Sequence, residues 1–184
     1  LFCLHPAGGI SWCYGTLARA MDAPRTVYGL QARALDPALA ELPDSMNAMA
    51  EAYADTIQRL QPAGPVHLLG WSVGGIVAHA IAVVLQGRGR EVGMLAMLDA
   101  YPSDVWRDQP DPPEDAVYKA LLHIAGHDPA SMDRSMLTRD GVIDFLRASG
   151  HPLGELSDAM LDGVFRVVAG NNRLVREHDH DRFN

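Results

Sequence analysis

The stretch HLLGWSVGGIVAHAIAVVL, residues 67–85, sets a serine flanked by glycines between two apolar runs. The run at 66–71 is short and reads as a buried strand. The run at 73–86 is apolar nearly all round and reads as a buried helix. Between them Gly70-Trp71-Ser72-Val73-Gly74 fits the pattern G-x-S-x-G, whose mechanical sense is a sharp turn from strand into helix. The glycines leave room where the strained turn brings backbone close to backbone. The Ser72 hydroxyl is left at the end of the strand, and the helix N-terminus beneath it favours developing negative charge. The competing reading is a glycine-rich turn with a capping serine. A strand before the motif and a helix after it favour a nucleophile.

Outward from this motif, strand alternates with helix. LFCLH (1–5) is a short apolar run that feeds the loop Pro6-Ala7-Gly8-Gly9, and residues 11–21 read as a helix. TVYGL (26–30) is a second strand, and 31–43, with Pro37 and Pro43, reads mostly as loop. From Asp44 to Leu60 the apolar residues Met46, Met49, Ala50, Tyr53, Ile57 and Leu60 recur at three and four, which is one face of an amphipathic helix. MLAMLD (94–99) is a fourth strand. The alternation predicts an α/β fold with a parallel sheet covered by helices on both faces, its strands buried on both sides. After Asp99 the character changes. The Pro- and Asp-rich stretch 101–115 is not expected to form a core element, and three helical patterns follow at about 113–125, 138–149 and 157–170.

Composition narrows the function classes. The chain has 184 residues, 48% hydrophobic and 21% charged, which suits one globular domain. A net charge of −8 without a stripe of Lys and Arg argues against nucleic acid as a partner. Cys3 and Cys13 are too few for a disulfide scaffold and are expected to be reduced and buried. No segment has the apolar length of a membrane span and none resembles a signal peptide, so a membrane partner is not expected and a cytoplasmic location is the default. The chain opens at Leu1 inside a strand-like run, which reads as a piece of a longer protein.

The stretches LFCLHPAGG, VYGLQARALD, VHLLGWSVGGIVAHAIA and GREVGMLAMLDAYP together resemble the α/β-hydrolase core of the chain-releasing (type I) thioesterase domains of nonribosomal peptide synthetases and polyketide synthases. They span most of 1–102; the likeness over 103–184 is looser. The resemblance implies a Ser-Asp-His triad in which Ser72 is the nucleophile and Asp99 the acid. The bland reading of Asp99 is a cap after its strand. The resemblance also implies an oxyanion hole from the backbone N–H groups of Ala7 and Val73. It divides the chain into a core at 1–102, a helical lid at 103–170 and a return toward the core at 171–184. Trp71 and Tyr101 flank the catalytic positions as pocket candidates. Val117, Leu121, Ile124, Val142, Phe145, Leu146, Met160 and Val164 are apolar lid positions, most of them expected to pack the lid rather than line an acyl pocket.

The base is the gap in this pattern. His123, His127, His151, His178 and His180 follow Asp99, yet none follows the two further core strands that precede the family's histidine. Each reads as a solvated lid or surface residue. The expectation is that the histidine lies beyond Asn184 and that the last core strands are missing from the chain. HDHD (178–181) is too weak a pattern for a metal site. The implied activity is release of a peptidyl or acyl chain from phosphopantetheine on an upstream carrier domain, by hydrolysis or macrocyclisation, with no cofactor bound by the domain itself. A stand-alone editing (type II) thioesterase and an inert fragment or binding domain are the alternatives.

Overall fold

The computed structural model describes residues 1–21, 25–39, 41–110 and 112–183. Four strands form one parallel sheet, β1 (Phe2–Leu4), β2 (Tyr28–Leu30), β3 (Val66–Trp71) and β4 (Val92–Leu98), in the order β2-β1-β3-β4. The connections carry α1 (Gly15–Ala20), α2 (Met46–Leu60) and α3 (Val73–Gly87). Each crossover carries a helix because parallel neighbours need a long connection that a hairpin turn cannot supply.

The expected strands and long helices of the first half are present. The predicted helix at 11–21 is instead a single 3-10 turn at Trp12–Tyr14 followed by the short α1, with Gly15 at its start. The 31–43 segment holds two 3-10 turns, Arg33–Leu35 and Pro37–Leu39. Helix α2 starts cleanly because the Ser45 hydroxyl accepts the Ala48 N–H at 3.1 Å, satisfying one of the first-turn donors that lack a helical acceptor. The face predicted for this helix is the buried one except at its last residue: Met46, Met49, Ala50, Tyr53 and Ile57 join Phe2, Leu4, Leu68, Ile76, Ile81 and Leu85 in the main core, whereas Leu60, at the helix end, is exposed.

After β4 the chain is helical: α4 (Ser103–Arg107), α5 (Ala116–Ile124), α6 (Arg139–Ala148) and α7 (Asp158–Glu177). Leu121 and Leu122 of α5, Val142 and Leu146 of α6, and Val164 and Val168 of α7 form a second cluster with Ile10 of the loop after β1. This cluster ties the helices to that loop.

Four expectations are corrected. Helix α4 forms inside the Pro- and Asp-rich stretch, and its Ser103 is fully buried. Helix α7 runs to Glu177, well past residue 170, because Leu174 and Val175 continue its inner face. Strand β4 is not buried on both sides: Met94, Met97 and Leu98 are exposed, because it is the edge of the sheet and nothing among the described residues covers its far side. Of the two cysteines, both free, Cys3 is buried but Cys13 is exposed, since it lies in the 3-10 turn rather than on an inner helix face.

Candidate active site

Ser72 stands between β3 and α3 with φ 56° and ψ −127°, a conformation that L residues rarely adopt. The packing explains why glycine must flank it. A Cβ on Gly70 would come 1.9 Å from the Gly74 carbonyl oxygen, and one on Gly74 would come 2.4 Å from the Leu4 oxygen. Both clashes are with backbone, so neither position can yield to a side chain. The turn is held by the Ser72 N–H, which donates to the Leu98 carbonyl at 2.8 Å. The Ser72 hydroxyl makes no capping bond to its own helix, which leaves it free for chemistry.

Asp99 is the next residue after β4. Trp71 and Leu98 are register partners, so Ser72 and Asp99 leave the sheet side by side at the carboxyl ends of adjacent strands. That is where open parallel sheets place their ligands. Asp99 also has a left-handed backbone, φ 48°, and its side chain is exposed.

The loop after β1 lies against the same end of the sheet. Gly74 of the turn packs on the Leu4 and His5 carbonyls. Val73 begins α3, so its N–H is among the helix donors that have no helical acceptor. The Ala7 N–H meets no acceptor among the described residues, while the Ala7 carbonyl accepts from Asn171 Nδ2 of α7 at 2.8 Å. Gly8 lies under Ile124 of α5, where a Cβ would come 2.9 Å from the Ile124 side chain. The helices after β4 therefore sit on this loop.

Two polar side chains that sequence reasoning passed over brace the site. The Tyr14 hydroxyl donates to the Leu4 carbonyl at 2.8 Å and accepts the Trp71 N–H at 2.7 Å. It bridges β1 and β3 just where their ladder ends, one residue before Ser72. Burial holds the Tyr14 phenol well above its ordinary pKa, so it stays a neutral bridge. Fully buried His5 places Nδ1 2.9 Å from the Pro6 carbonyl and Nε2 2.7 Å from the Tyr53 hydroxyl. With Nδ1–H donating to Pro6, the neutral imidazole leaves Nε2 as an acceptor for the Tyr53 hydroxyl proton, for which the Gln31 carbonyl at 3.1 Å from that hydroxyl is the second acceptor. Burial lowers the His5 pKa from 6.5 to about 4. The only sequence signal for Asn171 was a polar residue on the otherwise apolar inner face of α7.

The other candidates fall as follows. Trp71 and Tyr101 are both exposed beside the site, and the Tyr101 ring stands edge-on to Trp106. Of the eight apolar lid positions, Met160 and Val164 line a groove of about 450 Å³ beside Ile10 and Trp12. Val117, Leu121, Ile124, Val142, Phe145 and Leu146 pack in the second core cluster. Neither that groove nor a larger one of about 850 Å³ between α2, the 32–44 segment and α7 is lined by Ser72 or Asp99. None of the five histidines after Asp99 hydrogen-bonds to Ser72 or Asp99 among the described residues. His178 is buried rather than solvated, against the expectation, because the segment after α7 folds back onto α3 and α4. Among the described residues no group of His, Cys, Asp and Glu could hold a metal ion, and no helix is long and apolar enough to cross a membrane.

A strained serine between a parallel strand and its helix, with a carboxylate on the neighbouring strand, marks the fold as that of the α/β-hydrolases. The family model described as "Thioesterase domain" matches residues 1–155, and the chain belongs to that family. It is 42% identical over 161 residues to the dimodular nonribosomal peptide synthase of Bacillus subtilis (strain 168), a match covering 88% of this chain and 7% of that protein. It is 34% identical over 111 residues to enterobactin synthase component F of Escherichia coli (strain K12), covering 59% of this chain and 8% of that one. The chain thus spans a small part of the relatives it matches. Among solved structures it superposes on a four-domain nonribosomal peptide synthetase bound to AMP and glycine with a TM-score of 0.80 at 23% identity, over 97% of this chain and 14% of that one. The thioesterase domain of NocB gives a TM-score of 0.69 at 20% identity, over 97% of this chain and 65% of that one.

Proposed function

We propose that this chain is the core of a chain-releasing thioesterase that takes a peptidyl or acyl group from the phosphopantetheine thioester of an upstream carrier domain. The observation that carries the reading is the left-handed Ser72 turn standing beside Asp99 at the carboxyl edge of the sheet. Ser72 Oγ attacks the thioester carbonyl, and the tetrahedral oxyanion is met by the N–H groups of Val73 and Ala7. Collapse of that intermediate expels the pantetheine thiol and leaves an ester on Ser72. Water, or a hydroxyl or amine of the bound chain, then cleaves the ester. Asp99 orients and charge-stabilises the imidazole that moves the protons. The helices over 103–170 act as the lid, with Trp71 and Tyr101 at the entrance. No cofactor is needed, since the carrier arm presents the substrate.

The test uses the complete parent protein, its carrier domain loaded with an acyl group. Release is expected to vanish in Ser72→Ala and to fall by orders of magnitude in Asp99→Asn. Release from Ser72→Ala at the wild-type rate contradicts the reading. The product mass separates hydrolysis, which adds water, from cyclisation, which does not.

A further inference from the structure

The Pro6 carbonyl in the loop after β1 has two partners. His5 Nδ1 lies 2.9 Å from it, and the Gly9 N–H donates to it at 3.0 Å. This carbonyl shares one planar peptide unit with the Ala7 N–H. No described peptide bond is cis, so the carbonyl and the N–H of that unit point in opposite directions. The carbonyl is turned inward, onto buried His5 and Gly9, which turns the Ala7 N–H outward. Within residues 2–10 Ala7 is the one that is not buried. Asn171 Nδ2 holds the next carbonyl, that of Ala7, at 2.8 Å. The peptide planes on both sides of Ala7 are therefore fixed from within.

We propose that His5 is a positioning residue for the oxyanion: its Nδ1–H locks the Pro6–Ala7 peptide so that the Ala7 N–H faces the charge that develops at Ser72. The inference rests on the reading of Ser72 as the nucleophile and of the Ala7 N–H as an oxyanion donor. The role depends on where the imidazole proton sits. With the proton on Nε2, the Nδ1 lone pair would face the Pro6 oxygen at 2.9 Å, acceptor against acceptor. The peptide would turn away from the ring, and the Ala7 N–H would turn with it. Tyr53 of α2 favours the other tautomer. Its hydroxyl lies 2.7 Å from Nε2 and 3.1 Å from the Gln31 carbonyl, and it has one proton to give. Given along the shorter contact, to Nε2, that proton leaves the imidazole proton on Nδ1. Burial holds the Tyr53 phenol above its ordinary range, so the hydroxyl keeps its proton.

His5 follows β1 directly, and its backbone N–H donates to the Leu30 carbonyl of β2 at 3.2 Å. Its ring is fully buried and stands edge-on to Tyr53, with centroids 5.7 Å apart. A side chain so enclosed does not touch the substrate and acts through the backbone that it holds. Filling the space needs only a group of the right size. Turning the Ala7 N–H needs a donor at the Nδ1 position. The two roles separate by which nitrogen a substitution keeps. The Asn side chain carries its amide N–H near the place of Nδ1, whereas the longer Gln carries its amide near the place of Nε2.

The experiment measures release of an acyl-pantetheine thioester by the complete parent protein, with kcat and KM taken separately and rates normalised to the folded fraction from circular dichroism. In His5→Gln kcat is expected to fall roughly tenfold to hundredfold at nearly constant KM, because the developing oxyanion senses the Ala7 N–H more than the bound thioester does. His5→Asn is expected to recover most of that loss, to within about threefold of wild type, although it gives up the Tyr53 contact and the stability that goes with it. Tyr53→Phe keeps the helix packing, removes the hydroxyl, and is expected to fall between the two. Wild-type kcat in His5→Gln overturns the proposal. So does an equal loss in His5→Asn and His5→Gln, which would make His5 a packing residue, and so does a loss confined to KM. The mass of the Ser72 peptide separates failure of the underlying reading: thioester release by the wild type with Ser72 never acylated refutes the thioesterase mechanism and this inference with it, whereas an acylated Ser72 with kcat indifferent to His5 refutes this inference alone.

Discussion

Ser72 and Asp99 stand one residue past the register partners Trp71 and Leu98, and both have a left-handed backbone, with φ of 56° and 48°. Two such residues on adjacent strands are costly, on the order of 1–3 kcal/mol each, and such strain clusters at functional sites. The same pleat that aligns β3 with β4 puts a hydroxyl and a carboxylate at one edge. The surrounding glycines exist because backbone passes where side chains would be.

The strain at Ser72 makes a stability prediction opposite in sign to the activity prediction. Ser72→Gly should raise stability by about 1 kcal/mol, strain relief outweighing the added freedom of the unfolded chain, while removing acylation altogether. Denaturant midpoints for the two proteins check this. A destabilised Ser72→Gly would mean that the left-handed turn is not strained.

Tyr14 should matter through its hydroxyl alone. Tyr14→Phe leaves the Leu4 carbonyl and the Trp71 N–H without their shared partner, and should cost about 1–3 kcal/mol. Because Trp71 precedes Ser72, the rate of Ser72 labelling by a fluorophosphonate should fall as well. Unchanged labelling would separate Tyr14 from the turn.

Asn171 tests the role of Ala7. Asn171→Leu removes the hydrogen bond to the Ala7 carbonyl and with it one restraint on the loop proposed to stabilise the oxyanion. The expected outcome is a loss in kcat on carrier-bound thioester roughly tenfold or greater, with KM little changed. A change confined to KM would place Asn171 in substrate binding instead.

His5 predicts a pH dependence of folding. Its folded pKa, about 4, lies below the ordinary 6.5, so the folded state favours the neutral ring and the unfolded chain binds the proton more readily. Its contribution is full above about pH 6.5 and is lost as pH falls toward 4, to a total on the order of 3 kcal/mol. Urea midpoints across that window should drop in wild type and drop less in His5→Gln. An equal drop in both would remove His5 as the cause.

What the sequence made legible follows from how local each signal is. The β3–Ser72–α3 turn needs only two apolar runs and glycines at fixed spacing, and it was readable to the residue. Asp99 could be placed at a strand end by pattern alone, but not beside Ser72, because register is a property of two strands. Helix α4 was hidden by its Pro and Asp neighbours, and buried His178 by the charges on either side of it. Tyr14, Asn171 and the His5–Tyr53 pair were invisible for a related reason: each bonds across a long sequence separation, and nothing in the local pattern announces the partner. The exposure of β4 was misjudged because an apolar strand reads the same at the edge of a sheet as at its centre.

The most direct test of the central claim is the intact mass of the complete parent protein after incubation with a slowly cleaved acyl-pantetheine thioester, followed by peptide mapping. The account predicts one acyl adduct, on Ser72, absent in Ser72→Ala and slower to form in Asp99→Asn. Turnover of the thioester with the adduct on another residue, or with unmodified Ser72 throughout, would contradict it.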